Sequence, residues 1–150
     1  TKSVLQTEDK GSLTMAVQNN ELAEVRVGQT FNLSVAASSE GNEIVGFDVL
    51  LAYDKEAFTI GRASTPLQSF QLFPREHEEY VAFTGALNTN GEAVVLTETP
   101  VLTIPFTAKL KGKYTFTVLP VSSNESTKLV EAETTKVFSP EVTTLQVTVN

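Results

Sequence analysis

Alternation of apolar and polar residues with a period of two runs along most of this chain and constrains its fold more than any other feature. The alternating stretches include residues 13–17, 31–37, 101–110, 114–118 and 145–149. Successive side chains on a β-strand point to opposite faces, so this period is typical of half-buried strands. No window of ten or more residues keeps the apolar stripe of a helix. The sequence therefore predicts an all-β fold, an antiparallel β-sandwich with helix limited to a turn or two.

The strand within IVGFDVLLAYDKEAFTI, residues 44–60, carries a carboxylate where a buried strand is expected. One of its faces is wholly apolar: Phe47, Val49, Leu51 and Tyr53. The other face carries Gly46, Asp48, Leu50 and Ala52. A solvated face would normally hold several polar residues, whereas this one holds a single acid among small and apolar side chains. We interpret it as a surface that another molecule covers.

Residues from distant strands complete the predicted core. We expect Phe47, Val49, Leu51, Phe106, Phe116 and Leu145 to pack together. Pro105 falls in the middle of the predicted strand VLTIPFTAKL, residues 101–110. Because proline has no N–H to give to a neighbouring strand, this strand should lie at a sheet edge, or Pro105 should face away from a neighbour.

Length and composition set the class of protein. A chain of 150 residues is expected to form one domain. The polar start TKSVLQTEDKGS predicts a linker or tag remnant over residues 1–12, followed by a single domain over residues 13–150. The absence of cysteine excludes disulfides. A net charge of −7 without a basic cluster disfavours nucleic acid, and the chain lacks an apolar run of about 18 residues that would insert in a membrane.

Catalytic chemistry finds little support. The only histidine, His77, lies among glutamates in a polar segment without ligand-like spacing, so we expect a solvated histidine and no metal site. No nucleophile motif of the G-x-S-x-G type is present. Asp48 and Asp54 are six positions apart, about 20 Å along a strand, which is too far for a glycosidase pair. A pairing of Asp48 with Glu79 from another strand has no supporting motif. We expect no enzyme activity, no catalytic residues and no cofactor.

Sugar binding is the next alternative, because β-sandwich carbohydrate-binding modules display planar aromatic rings on a sheet. This chain has no tryptophan and three tyrosines. Tyr53 and Tyr114 fall on apolar strand faces, which leaves Tyr80 with Phe70 or Phe73. A carbohydrate-binding module, with polysaccharide as its ligand, is therefore the weaker alternative.

Four motifs together resemble a cohesin domain. They are VRVGQTF at residues 25–31, GFDVLLAYD at 46–54, LTIPF at 102–106 and GKYTF at 112–116. The resemblance spans roughly residues 13–149, and GFDVLLAYD is its most distinctive part. It implies a nine-stranded jelly-roll sandwich without enzymatic activity that binds a dockerin module through one flat sheet face. It also implies an extracellular or cell-surface setting within a larger secreted protein, with any calcium carried by the dockerin.

The resemblance also implies where the partner binds. Asp48 matches the family's dockerin-contacting aspartate, five positions before the tyrosine of the Tyr-Asp pair, and Gly46 stands where many cohesins have asparagine. The segment EYVAFTGA, residues 79–86, resembles the neighbouring face strand. Its outward set depends on the register, because a shift by one residue would exchange the two faces. The predicted partner-binding residues are Gly46, Asp48, Leu50, Ala52, Tyr80, Ala82 and Thr84. A spacer domain of a bacterial surface protein is the other alternative.

Overall fold

The computed structural model describes residues 11–122, 124–134 and 136–150 and forms fifteen strands, with no helix in that part of the chain. Nine of these fifteen strands have four or more residues. The strands are β1 (Ser12–Val17), β2 (Glu24–Val25), β3 (Thr30–Ser38), β4 (Glu43–Ala52), β5 (Phe58–Ile60), β6 (Phe70–Glu76), β7 (Val81–Leu87), β8 (Val94–Val95), β9 (Thr99–Ala108), β10 (Gly112–Val118), β11 (Val121–Ser122), β12 (Glu125–Ser126), β13 (Lys128–Glu131), β14 (Val137–Phe138) and β15 (Thr144–Val149).

Two sheets face each other, as the sequence predicts. The smaller has the strand order β1–β3–β9–β5. The larger is built on β4, which pairs with β7 and β8 along one edge and with β13 and β10 along the other. Strand β6 extends it beyond β7, β14 extends it beyond β13, and β15 and β2 extend it beyond β10. All these pairs are antiparallel except that of β15 with β2. The all-β jelly-roll sandwich is confirmed.

Aromatic rings fill the space between the sheets. Phe106 of the smaller sheet and Phe116 of the larger are both fully buried, and their ring centroids lie 5.1 Å apart. Phe31 stacks on Phe106 with centroids 6.0 Å apart. The predicted core residues Phe47, Val49 and Leu51 are also buried. Leu145 packs against this core while partly exposed. The interior therefore lies on the face of β4 that the sequence marks as apolar.

Pro105 lies inside β9, where its position is accommodated by a gap in pairing. On one side residues 99–107 of β9 pair with β3, with a register shift between Pro100 and Leu102 and with Pro105 opposite Asn32. On the other side β5 covers only residues 106–108 of β9. The Pro105 carbonyl oxygen accepts a hydrogen bond from the N–H of Gly61, 2.7 Å away, just after β5 ends. The proline nitrogen points to the same side, where no neighbouring strand offers an acceptor for an N–H. Pro105 therefore faces away from a paired strand, as one of the two expected arrangements requires.

Two separate strands pair with one edge of β4, and the gap between them shapes the candidate site. β10 pairs with residues 51–52 of β4, and β13 pairs with residues 44–48. Between β10 and β13 the chain leaves the sheet and forms the small hairpin of β11 and β12, which pair only with each other. We call residues 119–122 and 124–127 the hairpin segment. It departs from the sheet beside Leu50.

The predicted linker over residues 1–12 falls mainly on residues 1–10, which lie outside the described residues. Ser12 is the first residue of β1 and pairs with Ser38 of β3. No helix in the described chain is long and apolar enough to cross a membrane.

Candidate partner-binding face

The register between β4 and β7 brings the two groups of predicted site residues onto one face. Asp48 lies opposite Thr84, and Leu50 lies opposite Ala82. Val81 and Phe83 point into the core with 1% of their surface exposed. This is the register in which Tyr80, Ala82 and Thr84 share a face with Asp48. We call this side of β6, β7, β4 and β13, away from the core, the outer face.

Asp48 lies at the centre of the outer face and is held from both sides. Its Oδ1 accepts a hydrogen bond from the hydroxyl of Thr84. Its Oδ2 is 3.2 Å from the Nζ of Lys128, which stands opposite Asp48 on β13. The Asp48 side chain is 17% exposed. The aspartate is therefore a fixed, partly buried charge and not a freely rotating surface acid.

The polar contacts continue from Asp48 across the sheet. Thr84 accepts a hydrogen bond from Nη1 of Arg75 at 3.0 Å. The other terminal nitrogen of Arg75, Nη2, forms an ion pair with Oε1 of Glu125 in the hairpin segment. A continuous chain of contacts thus links Lys128 on β13 with Glu125 on β12. It runs through five strands, β13, β4, β7, β6 and β12.

Glu125 gathers three partners, and we call Arg75, His77, Tyr80 and Glu125 the Glu125 cluster. Its Oε2 accepts a hydrogen bond from the Tyr80 hydroxyl at 2.7 Å and lies 2.8 Å from Nε2 of His77. The rings of His77 and Tyr80 stack with centroids 4.4 Å apart. The hydrogen bond from Tyr80 is the main reason that the pKa of Glu125 is lowered, and the nearby Arg75 and His77 add to it. The same hydrogen bond raises the pKa of Tyr80.

The hairpin segment covers part of the outer face. Leu50 and Ala82 are fully buried, and Tyr80 is 5% exposed. They form a small apolar cluster outside the main core, with Ala52 and Leu119 packed against it. We call Leu50, Tyr80 and Ala82 the covered patch. The sequence predicts these residues on an exposed surface, and nothing in the residues of the hairpin segment indicates that it lies over β4. In this conformation Leu50 and Ala82 are not accessible to a partner.

The rest of the outer face is open. Beside Asp48 and Thr84, the next row across the sheet runs through Gln71, Ala86, Gly46, Val130 and Val137. Val137 is 55% exposed at one end of this region. Phe73, which lies opposite Thr84 on β6, is 48% exposed at the other. The open part, which we call the open strip, centres on the small residues Gly46 and Ala86 and lies between two exposed apolar side chains, with Asp48 and Lys128 at its margin.

Sequence reasoning missed Arg75, Glu125 and Lys128, and it gave His77 no partners. The side chain of Glu125 contacts residues that lie 45 or more positions away. Nothing in the local sequence indicates these pairings, since they depend on the interrupted edge of β4. His77 remains partly exposed, as expected, but it is part of the Glu125 cluster. No group of three or more acidic or histidine residues suited to a metal ion occurs in residues 11–122, 124–134 and 136–150.

Comparison with known proteins places the fold among cohesin modules. No protein-family profile and no curated protein sequence matches the chain. Among solved structures, the cohesin module of a family 33 glycoside hydrolase from Clostridium perfringens superposes with a TM-score of 0.80. It is 16% identical, and the match covers 95% of this chain and 98% of that one.

Two further structures broaden the comparison. The sixth cohesin of scaffoldin B from Acetivibrio cellulolyticus, solved in complex with a Cel5 dockerin, has a TM-score of 0.70 at 13% identity, over 94% of this chain and 99% of that one. A non-cellulosomal cohesin from the archaeon Archaeoglobus fulgidus has a TM-score of 0.66 at 11% identity, over 93% and 91%. The chain therefore has the fold of cohesin modules.

Proposed function

We propose that this chain is a non-catalytic interaction module that binds a dockerin-type partner through the outer face. The observation that carries the proposal is the placement of Asp48 at the centre of that face, beside an open strip of small residues. Several proteins with the same fold are cohesins solved in complex with dockerins. The module would anchor or assemble multiprotein complexes outside the cell, as part of a larger secreted or surface protein, with any calcium held by the partner.

The open strip suits a helix of the partner. Gly46 and Ala86 lie next to each other on β4 and β7, and their small size lets a helix backbone come close to the sheet. Phe73 and Val137 would supply apolar contacts at the two ends of the strip. Closing a partner over the strip removes water from Asp48 and Lys128. Their ion pair would then fix the orientation of polar groups on the partner more than it adds affinity.

Sugar binding has less support from the same face. An aromatic platform needs several exposed rings in one plane, whereas Phe73 is the one exposed aromatic among the large apolar residues of the described chain. Tyr80, which the sequence offers as a second ring, lies beneath the hairpin segment. A carbohydrate-binding role is therefore the less favoured alternative, and a spacer role would leave the open strip without a function.

Calorimetric titration against a panel of dockerin modules tests the proposal. Gly46→Arg would place a long side chain across the open strip and should abolish measurable binding. Asp48→Ala should weaken binding by roughly 2–5 kcal/mol, because it leaves Lys128 and groups of the partner without their acceptor. Thr14→Arg serves as the matched control, since Thr14 is exposed on the smaller sheet, away from this face. Equal affinity in all three variants would place the site elsewhere.

A pull-down from culture medium and cell-surface extract of the source organism identifies the natural partner. The wild-type chain should retain a protein that carries a dockerin, and the Gly46→Arg variant should not. Retention of an insoluble polysaccharide by wild type and Gly46→Arg alike would support the carbohydrate alternative instead.

A further inference from the structure

The hairpin segment is attached to the larger sheet at two places only among the contacts described. At its base, the N–H of Leu119 donates to the carbonyl of Leu50 at 2.8 Å, and the hydroxyl of Thr127 accepts from the N–H of Leu50 at 3.0 Å. At its far end, Glu125 contacts Arg75, His77 and Tyr80, and the side chain of Ser122 also hydrogen-bonds Tyr80. β11 and β12 pair with no strand of the smaller or the larger sheet.

Few apolar contacts hold the hairpin segment down. Leu119 is its one apolar side chain packed on the covered patch, whereas Val121 is 66% exposed and faces solvent. The far end depends on polar contacts only: those of Glu125, whose side chain is 23% exposed, and a side-chain hydrogen bond between Ser122 and Tyr80. Polar contacts of this exposure contribute little to stability, and segments with few buried apolar contacts open locally at low free-energy cost.

The covered patch continues the open strip. Leu50 lies two residues beyond Asp48 on β4, and Ala82 lies two residues before Thr84 on β7, so all four side chains project from the same face. Removing the hairpin segment would therefore extend the strip by an apolar area next to Asp48. Leu50, Ala82 and the ring of Tyr80 would be its contact surface.

We infer that the hairpin segment is a removable cover, latched by Glu125, and that the covered patch is a second, concealed part of the partner-binding face. Opening the cover would raise affinity, because a partner that needs the whole face binds only the open fraction of molecules. The role in partner binding rests on the proposed function, whereas the opening of the cover does not. The two parts are tested separately.

Amide hydrogen exchange tests the opening without any partner. In Glu125→Ala, the amides of Leu50 and Leu119 should exchange at least about threefold faster than in wild type, because the charged contacts that close the cover are gone. The amide of Leu33 in the core should not change. Glu21→Ala removes the same charge from an exposed turn and is the control. Unchanged exchange at Leu50 and Leu119, or acceleration of Leu33 by the same factor, would contradict the proposal that the hairpin segment opens as a cover.

Calorimetry with the best-binding dockerin of the panel tests the concealed surface. Glu125→Ala should bind at least about threefold more tightly than wild type and Glu21→Ala. Adding Ala52→Arg, at the partly exposed margin of the patch, should remove that gain while leaving the fold intact. Faster exchange without tighter binding would contradict the proposal that the covered patch is part of the partner-binding face. Binding that is insensitive to Asp48→Ala would contradict the proposed function and leave the exchange result standing.

If no dockerin binds the wild-type chain, an apolar fluorescent dye provides the readout. Dye fluorescence should be higher with Glu125→Ala than with Glu21→Ala, and Ala52→Arg should reduce the difference. Equal fluorescence in the two glutamate variants would show that no apolar surface is released.

Discussion

Thr84 stands directly opposite Asp48 on the neighbouring strand and donates the hydrogen of its hydroxyl to the Asp48 carboxylate. This cross-strand pair fixes a carboxylate in the middle of the outer face, beside the small residues Gly46 and Ala86. Thr84→Val keeps the shape of the side chain and removes the donor. It should lower the free energy of unfolding by about 1 kcal/mol in urea denaturation. Thr115→Val, at an exposed strand position, should stay within about 0.5 kcal/mol of wild type.

Gly85 allows the ring of Phe47 to lie against β7. A Cβ at this position would come within 2.2 Å of the Phe47 ring, which is buried and stacks on Phe70. Gly85→Ala should therefore destabilise the chain by about 1–3 kcal/mol or more. Combining it with Phe47→Leu should cost less than the sum of the two single changes. Additive losses would show that the contact does not set the packing.

Gly46→Ala is the matched control for that experiment. The nearest atom to its added Cβ is 3.4 Å away, which is ordinary contact. Thermal and urea unfolding should therefore remain close to wild type.

Phe116 is the centre of the aromatic core. Its ring approaches those of Phe58, Phe106 and Tyr53 at centroid distances of 4.9, 5.1 and 5.9 Å. Phe116→Ala should cost about 3–5 kcal/mol of stability. Phe73→Ala removes the same side chain from an exposed site and should cost much less stability. It should also weaken the binding of any partner that contacts the open strip. A comparable loss of stability in both would contradict the assignment of inner and outer faces.

Thr127 joins the base of the hairpin segment to β4 through a single hydroxyl. The residue is 2% exposed, and its hydroxyl accepts from the N–H of Leu50 and donates to the carbonyl of Leu119 at 2.7 Å. Thr127→Val leaves both backbone groups without this partner, at a cost of about 1–3 kcal/mol for each group left unsatisfied. Thr127→Ser keeps the hydroxyl and should recover most of the loss. Equal stability of the valine and serine variants would show that the hydroxyl is dispensable.

The stability that the Glu125 cluster contributes should be lost both at low pH, through Glu125, and at high pH, through Tyr80. Because folding lowers the pKa of Glu125, its contribution is present above the ordinary glutamate range and is lost as pH falls through the lowered value. Because folding raises the pKa of Tyr80, its contribution is present below the ordinary tyrosine range and is lost as pH rises through the raised value. Arg75 and His77 face the same carboxylate.

Exchange of the Leu119 amide, expressed relative to the intrinsic rate of an unstructured amide at the same pH, should therefore be slowest between these two limits and accelerate on either side. In Glu125→Gln the acid-side acceleration should disappear. An acid response that persists in this variant would assign the effect to other carboxylates.

The fold could be predicted from the sequence because its signal is local. Alternation around Phe47, Phe106 and Phe116 marks the inward face of each strand whatever its partner. The covering of Leu50 could not be predicted in this way. It depends on where β10 ends and β13 begins along β4, and the segment between them has no apolar period of its own. The contact of Asp48 with Lys128 could not be predicted for the same reason. Lys128 lies 80 positions away and faces Asp48 only because β13 pairs with β4.

The parallel pairing of strands β15 and β2 bears on how the chain withstands force. The N–H of Asn150 donates to the carbonyl of Val25, and the N–H of Val27 donates to the carbonyl of Asn150, while β10 flanks β15 along its other edge. Tension along the axis of β15 would act across these hydrogen bonds side by side, in shear, so that they must break together. A chain pulled from this end should resist as a single mechanical unit instead of unzipping one bond at a time.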